Sequence, residues 1–191
     1  MKNKELIIFD FDYTLAKTIE SIWVWSPRGT RLYKNKPYIP VHPSMLSKQK
    51  IGDDEEINDD SFKEFYSLNV NRSKPIKLTN FLLNYYLGMP EEYDVYILTA
   101  RPESAKEDIM CFLKDHVADL TNLNFIGLQN SKPQAKIDII KNILLENNYL
   151  HMSLYEDNDY MINNISQQIE IPVSKYHIKS LGKELRISCY E

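Results

Sequence analysis

Short apolar runs alternate along this chain with segments whose apolar residues recur every three or four positions. The runs Glu5–Asp10, Asp94–Thr99, Asn124–Leu128, Met152–Glu156 and Ile169–Lys175 are rich in large aliphatic and β-branched residues. Runs of this length read as strands buried on both faces of a parallel sheet. Helical patterns fall between them. Ile76 to Leu87 carries Phe81, Leu82 and Tyr85 on one face and stops at Gly88, with Pro90 beyond, a C-terminal signal. Pro102 to about Ala118 opens with proline, has Glu103 in its first turn, and spaces Ala105, Ile109, Leu113 and Val117 about four apart. Pro133 to Glu146 is apolar at Ile139, Ile140, Ile143 and Leu144, and a fourth helix is predicted from Asp159 to Gln168. Strand–helix alternation predicts an α/β fold: a Rossmann-like parallel sheet flanked by helices, with right-handed crossovers.

Residues 16–74 break the alternation. Pro27, Pro37, Pro40 and Pro43 exclude a long helix there and predict extended segments, turns and loops. A short helix is expected from Asp60 to Leu68, capped by Asp60 or Ser61. The expectation is one domain over residues 1–191, with 16–74 as a loop-rich, flap-like insertion after the first strand. Ser21 to Lys50 contains no acid, but it contains Arg28, Arg31, Lys34, Lys36, Lys48 and Lys50 interleaved with Trp23, Trp25, Tyr33 and Tyr38. Cations for phosphates and flat rings for bases are what single-stranded nucleic acid requires. The competing reading is a flap packed on the domain, its lysines paired with the acidic run from Asp53 to Asp60.

The whole chain of 191 residues is 43% hydrophobic and 26% charged, with a net charge of −4. These values suit a globule with a real core and exclude a global basic field that would recruit nucleic acid or anionic membrane. No apolar run reaches the ~18 residues of a membrane span, and Met1 to Glu5 leads into a strand rather than a signal peptide. Cys111 and Cys189 lack metal-ligand spacing, so reduced thiols in a cytoplasmic protein are expected. His42, His116, His151 and His177 are scattered without zinc-ligand spacing and receive no catalytic role.

Chemistry concentrates where the first strand ends, in Asp10-Phe11-Asp12-Tyr13-Thr14. Open α/β sheets bind ligands at the carboxyl ends of their strands. Two carboxylates that close repel, so the pair calls for a cation, a shared proton or both. Three further features stand in order along the chain: Thr99-Ala100-Arg101 after Ile97-Leu98, Lys136 early in the third helix, and Glu156-Asp157-Asn158-Asp159 after Met152 to Tyr155.

These four features in this order resemble the motifs of the haloacid dehalogenase-like (HAD) hydrolase superfamily, over nearly the whole chain outside 16–74. The resemblance implies that Asp10 is the nucleophile, taking a phosphoryl group as an acyl phosphate. It makes Asp12 the general acid, then the base that activates water. Mg²⁺, with its preference for hard oxygen ligands, would be held by Asp10, Asp157 and the backbone carbonyl of Asp12, with Glu156 or Asp159 assisting. Thr99 would donate to a phosphoryl oxygen and Lys136 would neutralise the transferring group. Phe11, Thr14, Ala100 and Arg101 would line the substrate. Tyr13 stands where the family commonly has a smaller residue such as glycine, and Glu156-Asp157 where it has two aspartates.

The activity so implied is Mg²⁺-dependent hydrolysis of a phosphomonoester through an aspartyl-phosphate. The chain is similar to the phosphatase domain of bacteriophage polynucleotide kinase and to the Swiss Army Knife RNA-repair-like HAD group, chiefly in Leu98 to Arg101 and Leu154 to Asn158. That similarity implies a nucleic-acid end, such as a 3′-phosphate, or a nucleotide as substrate. The alternatives are a small-metabolite phosphatase and a phosphate-binding scaffold without turnover.

Overall fold

Leu6, Ile7, Ile8 and Phe9 are all buried, and the sheet order gives the reason. In a computed structural model, which describes residues 4–43, 52–181 and 184–190, strand β1 (Glu5–Phe9) runs through the middle of a six-stranded sheet. On one side it pairs in parallel with β7 (Tyr93–Thr99), and β7 with β8 (Leu123–Gly127). On the other it pairs in parallel with β9 (Met152–Glu156), followed by β10 (Val173–Leu181). The edge strand β11 (Glu184–Tyr190) is antiparallel to β10. The chain thus builds one half of the sheet outward from β1, then returns to build the other. Sheets with such a switch commonly bind ligands at the carboxyl ends of the strands beside it, here β1, β7 and β9.

Successive residues of a strand face opposite ways, and β1 shows it. Ile7 and Phe9 join Leu83 and Leu87 of α1 (Lys77–Leu87) and Ile109, Phe112 and Leu113 of α2 (Lys106–Lys114). Leu6 and Ile8 join Ile137, Ile140 and Ile143 of α3 (Pro133–Glu146) and Met161, Ile162 and Ile165 of α4 (Asp159–Gln168). The sheet therefore carries helices on both faces, the α/β arrangement expected. No helix among the described residues is long and apolar enough to cross a membrane.

Several expectations need correction. The fifth strand begins at Val173, not Ile169, because the Ile169 N–H bonds back to Ile165 and its side chain closes the core beneath α4. Strand β11 was not expected. Helix α2 ends at Lys114, and a 3₁₀ turn at Glu103–Ala105 precedes it. The inward face of α1 is Thr79, Asn80, Leu83 and Leu87, leaving Phe81 66% and Tyr85 50% exposed. Thr79 Oγ1 donates to the Thr14 carbonyl (2.5 Å) and Asn80 Nδ2 to the Leu15 carbonyl (2.6 Å). Two polar residues turn inward because they satisfy the loop that follows β1.

The described residues of 16–74 form mostly extended pieces, as the prolines there require. Two short strands, β2 (Ala16–Lys17) and β6 (Lys74–Pro75), pair antiparallel where the segment leaves and rejoins the body. Between them β3 (Ile22–Trp25), β4 (Arg31–Tyr33) and β5 (Lys36–Val41) form an antiparallel sheet with β5 central. A 3₁₀ helix, Asp59–Tyr66, follows. Its cap is Asn58 rather than Asp60 or Ser61: the Asn58 side chain accepts from the Asp60 N–H, while Ser61 Oγ accepts from the Asn58 N–H.

Candidate active site

Beyond Phe9 the chain folds into a tight loop, in which the Phe11 carbonyl accepts from the N–H groups of Leu15 (2.9 Å) and Ala16 (3.1 Å). Tyr13 sits at φ 59°, in the left-handed region that glycine occupies without cost. That geometry explains the smaller residue common there in the resembled family. Here the tyrosine is anchored by its hydroxyl, which donates to the Thr18 carbonyl (2.9 Å). The N–H groups of Phe11 and Asp12 have no acceptor among the described residues. The Phe11 ring is core, edge-on to Phe112. Thr14 is fully buried, and its hydroxyl has no partner among the described residues.

Lys136 crosses to this loop from α3. Pro133 opens that helix, which sets Lys136 in the first turn, pointing at the sheet's carboxyl edge. The ammonium lies 2.8 Å from Asp10 Oδ1 and 2.7 Å from Glu156 Oε2, and all three side chains are buried. Asp157 follows Glu156 at the end of β9, in a link that ends at Asn158, whose side chain caps α4 by accepting from the N–H groups of Tyr160 and Met161. Asp10, Glu156 and Asp157 each bring a carboxylate oxygen within 4.8 Å of the others.

Burial, reinforced by the Glu156 charge, pushes the Asp10 carboxyl up to about 7 despite Lys136. Burial, then Glu156 and Asp10, pushes Asp157 up to about 9. Burial also acts against the Lys136 charge, but Asp10 and Glu156 overcome it and hold the ammonium above its ordinary range. Once all three are ionised, three carboxylates against one ammonium leave two negative charges in a desolvated space, and a divalent cation would cancel them. The donors are hard oxygens, which fits Mg²⁺.

Asp12 does not join that cluster with its carboxylate. Its Oδ2 accepts from Arg101 Nε (2.8 Å), and its Oδ1 from Arg101 Nη2 (2.7 Å) and Thr18 Oγ1 (2.7 Å). Arg101 is fully buried. It also donates to Glu20 Oε2 (3.0 Å) and the Ser67 carbonyl (2.7 Å), with its guanidinium 4.9 Å from the Phe65 ring centroid. The arginine expected to line the substrate is thus committed to protein partners. Thr99, fully buried at the end of β7, accepts from the Arg101 N–H (3.2 Å), which leaves its hydroxyl proton free to donate. Ala100 lies in the turn between them. Asp159, one of two residues expected to assist a metal, faces His177 instead.

Thr18, Glu20 and His177 went unrecognised in the sequence. Thr18 and Glu20 lie in the insertion and His177 on β10, and no spacing links them to the motifs. In the insertion, Lys34 pairs with Asp60 (2.5 Å) and Arg28 with Asp54 (3.2 Å), while Trp23 Nε1 donates to Glu64 (2.8 Å). Tyr38 is buried. Lys48 and Lys50 lie outside the described residues.

No family model matches the chain, and no curated protein does. Among solved structures it is similar to the HAD domain of the effector protein Lem4 from Legionella pneumophila, in an inactive mutant form. That match has a TM-score of 0.54 and 10% identity, covering 96% of this chain and 89% of the other. The fold is therefore HAD-like. At its carboxyl edge lies a cluster of acidic residues that could hold a divalent metal.

Proposed function

We propose that this protein is a Mg²⁺-dependent phosphatase that hydrolyses a phosphomonoester through an aspartyl-phosphate on Asp10. The observation that carries the proposal is the buried contact of Lys136 with Asp10 and Glu156, beside Asp157, at the carboxyl edge of a HAD-like sheet. Asp10, Glu156 and Asp157 would hold the ion, together with the Asp12 carbonyl. Bound there, Mg²⁺ would neutralise charge on the phosphoryl oxygens and the nucleophile.

Asp10 attacks phosphorus through the oxygen not held by Lys136. The leaving oxygen takes a proton from Asp12, and Asp12 then draws one from the water that hydrolyses the acyl phosphate. Asp12 Oδ2 accepts only from Arg101 Nε among the described residues, so it keeps a lone pair for that proton. Arg101 acts here as a positioning residue. The Thr99 and Thr14 hydroxyls, and the N–H groups of Phe11 and Asp12, serve as donors to the phosphoryl oxygens.

Residues 16–74 act as a flap over this edge of a single domain. One observation favours a nucleotide or nucleic-acid end as the group carrying the phosphate. A groove of about 890 Å³ runs along the insertion and is lined by Trp23, Arg31, Asn69 and Arg72. Its acids are engaged internally, Glu64 by Trp23 and Glu20 by Arg101, whereas Arg31 and Arg72 have no ion pair among the described residues. Free cations beside an indole suit phosphates and a base. The exposed, unpaired Cys111 and Cys189 are consistent with a reducing, cytoplasmic setting.

The test is phosphate release, with Mg²⁺, from 3′- and 5′-phosphorylated oligonucleotides, mononucleotides and sugar phosphates, with Asp10→Asn as control. Turnover abolished by Asp10→Asn supports the mechanism. Preference for sugar phosphates would replace the nucleic-acid reading with a small-metabolite phosphatase. Release from none of them would favour a phosphate-binding scaffold.

A further inference from the structure

His177 stands on β10 in register with Glu156 of β9 and is 3% exposed. Its Nε2 lies 2.9 Å from the Asp157 carbonyl oxygen. A carbonyl can only accept, so Nε2 carries the proton and donates it. Its Nδ1 is in contact with the Asp159 carboxylate, without the alignment of a hydrogen bond. One buried ring therefore touches both ends of the short link between β9 and α4, and that link carries Asp157.

We infer that His177 is a positioning residue for the metal centre: it fixes the Asp157 peptide so that the Asp157 carboxylate converges with Asp10 and Glu156. The inference rests on the metal-centre reading above and adds a residue to it. The link's other ties grip its neighbour: the Asn158 N–H donates to Glu156 Oε1 at 3.3 Å, and the Asn158 side chain caps α4. Neither restrains the peptide carbonyl of Asp157, whose one hydrogen-bond partner among the described residues is His177. A metal-binding carboxylate turns with its own backbone, so a carbonyl held from a neighbouring strand sets the direction of the side chain. The same ring meets Asp159, the first residue of α4, so it packs against the start of that helix as well. Groups that orient metal ligands from behind typically cost about ten- to hundred-fold in metal affinity when removed.

The experiment is Mg²⁺ titration by calorimetry and Mn²⁺ titration by electron paramagnetic resonance on the full chain, with folding followed by circular dichroism without metal. His177→Ala is expected to weaken Mg²⁺ and Mn²⁺ binding roughly ten- to hundred-fold. His177→Gln, whose amide N–H reaches about as far as Nε2–H, is expected to restore most of it. A folded His177→Ala chain that binds Mn²⁺ as tightly as wild type would overturn the inference and leave the metal centre standing. So would a folded His177→Gln chain as weak as His177→Ala. Should His177→Ala fail to fold, His177→Leu, which fills the space without a donor, takes its place in the same comparison. Wild-type protein that takes up neither ion would overturn the metal centre and this inference with it.

Discussion

Arg101 grips both carboxylate oxygens of Asp12, a residue 89 positions earlier in the chain, through Nε and Nη2 at 2.8 and 2.7 Å. The same guanidinium reaches Glu20 and the Ser67 carbonyl, both in the insertion. A single fully buried side chain thus joins the end of β7, the loop after β1 and residues of the 16–74 segment. The fork geometry explains why arginine stands here: lysine presents a point charge and cannot meet a carboxylate with two parallel donors.

Removing the guanidinium leaves Asp12 and Glu20 facing each other without a cation. Arg101→Met is expected to destabilise the fold by about 3–5 kcal/mol, the range for breaking a buried pair by deleting one partner. Arg101→Lys keeps the charge and loses the fork, so it should destabilise less while still lowering turnover. Urea unfolding of the three proteins checks the order; an Arg101→Met chain as stable as wild type would show that the network contributes nothing.

The acidic cluster gives stability a particular pH dependence. Asp10 and Asp157 have carboxyls raised to about 7 and about 9 by burial and neighbouring charge, against an unfolded value near 3.8. Across that window the native state holds protons that the unfolded chain has released, so stability falls as pH rises. Lys136 stays charged throughout and does not reverse the slope. Mg²⁺ held as proposed would bind the deprotonated carboxylates, so the increase in Tm it produces should grow from about pH 5 to about pH 8.5. Thermal unfolding in EDTA and in Mg²⁺ measures both trends, and a Tm that climbs with pH in EDTA would contradict the assignment.

Much of the body was legible from local signals. Pro133 and the apolar spacing behind it mark α3 from end to end, and Met152–Glu156 matches β9. The ordered motifs brought Asp10 and Lys136 together across 126 residues. What local pattern could not show is which polar groups the tertiary fold would recruit. Thr79 and Asn80 look like a solvent face of α1 until the Thr14 and Leu15 carbonyls are placed beside them. Glu20 and His177 have partners only once β2 has closed on β6 and β10 has paired with β9. Ile169 reads as the start of a strand, but its N–H is used to end α4.

Gly127, at the end of β8, is required by close backbone approach. A Cβ there would lie 2.5 Å from the Glu103 nitrogen and 2.5 Å from the Pro102 carbonyl carbon, neither of which is a side-chain end that can swing away. Gly127→Ala must displace the turn that carries Arg101. A loss of about 1–3 kcal/mol is expected from such overpacking, and turnover should fall as Arg101 loosens on Asp12. Thermal unfolding and steady-state kinetics on the same preparation test the link; lowered stability with unchanged kcat would show that the turn moves without disturbing Asp12.

Under the proposed mechanism, Lys136→Met would separate metal binding from turnover. Its ammonium neutralises Asp10 and Glu156, so Lys136→Met leaves three carboxylates converging without a counter-charge. Metal-free Lys136→Met should unfold more readily than wild type, because removing one partner strands buried charges. A divalent cation has more negative charge to meet in the variant, so Mg²⁺ affinity should hold or rise, and Mg²⁺ should recover much of the lost stability. Turnover should not recover. The proposed mechanism puts this positive charge beside the transferring group, and the loss of one such stabilising contact commonly lowers kcat by roughly 10²–10³. Calorimetric titration with Mg²⁺, set beside phosphate release, checks the split. Weaker Mg²⁺ binding in Lys136→Met would mean that the lysine organises the carboxylates rather than opposing their charge.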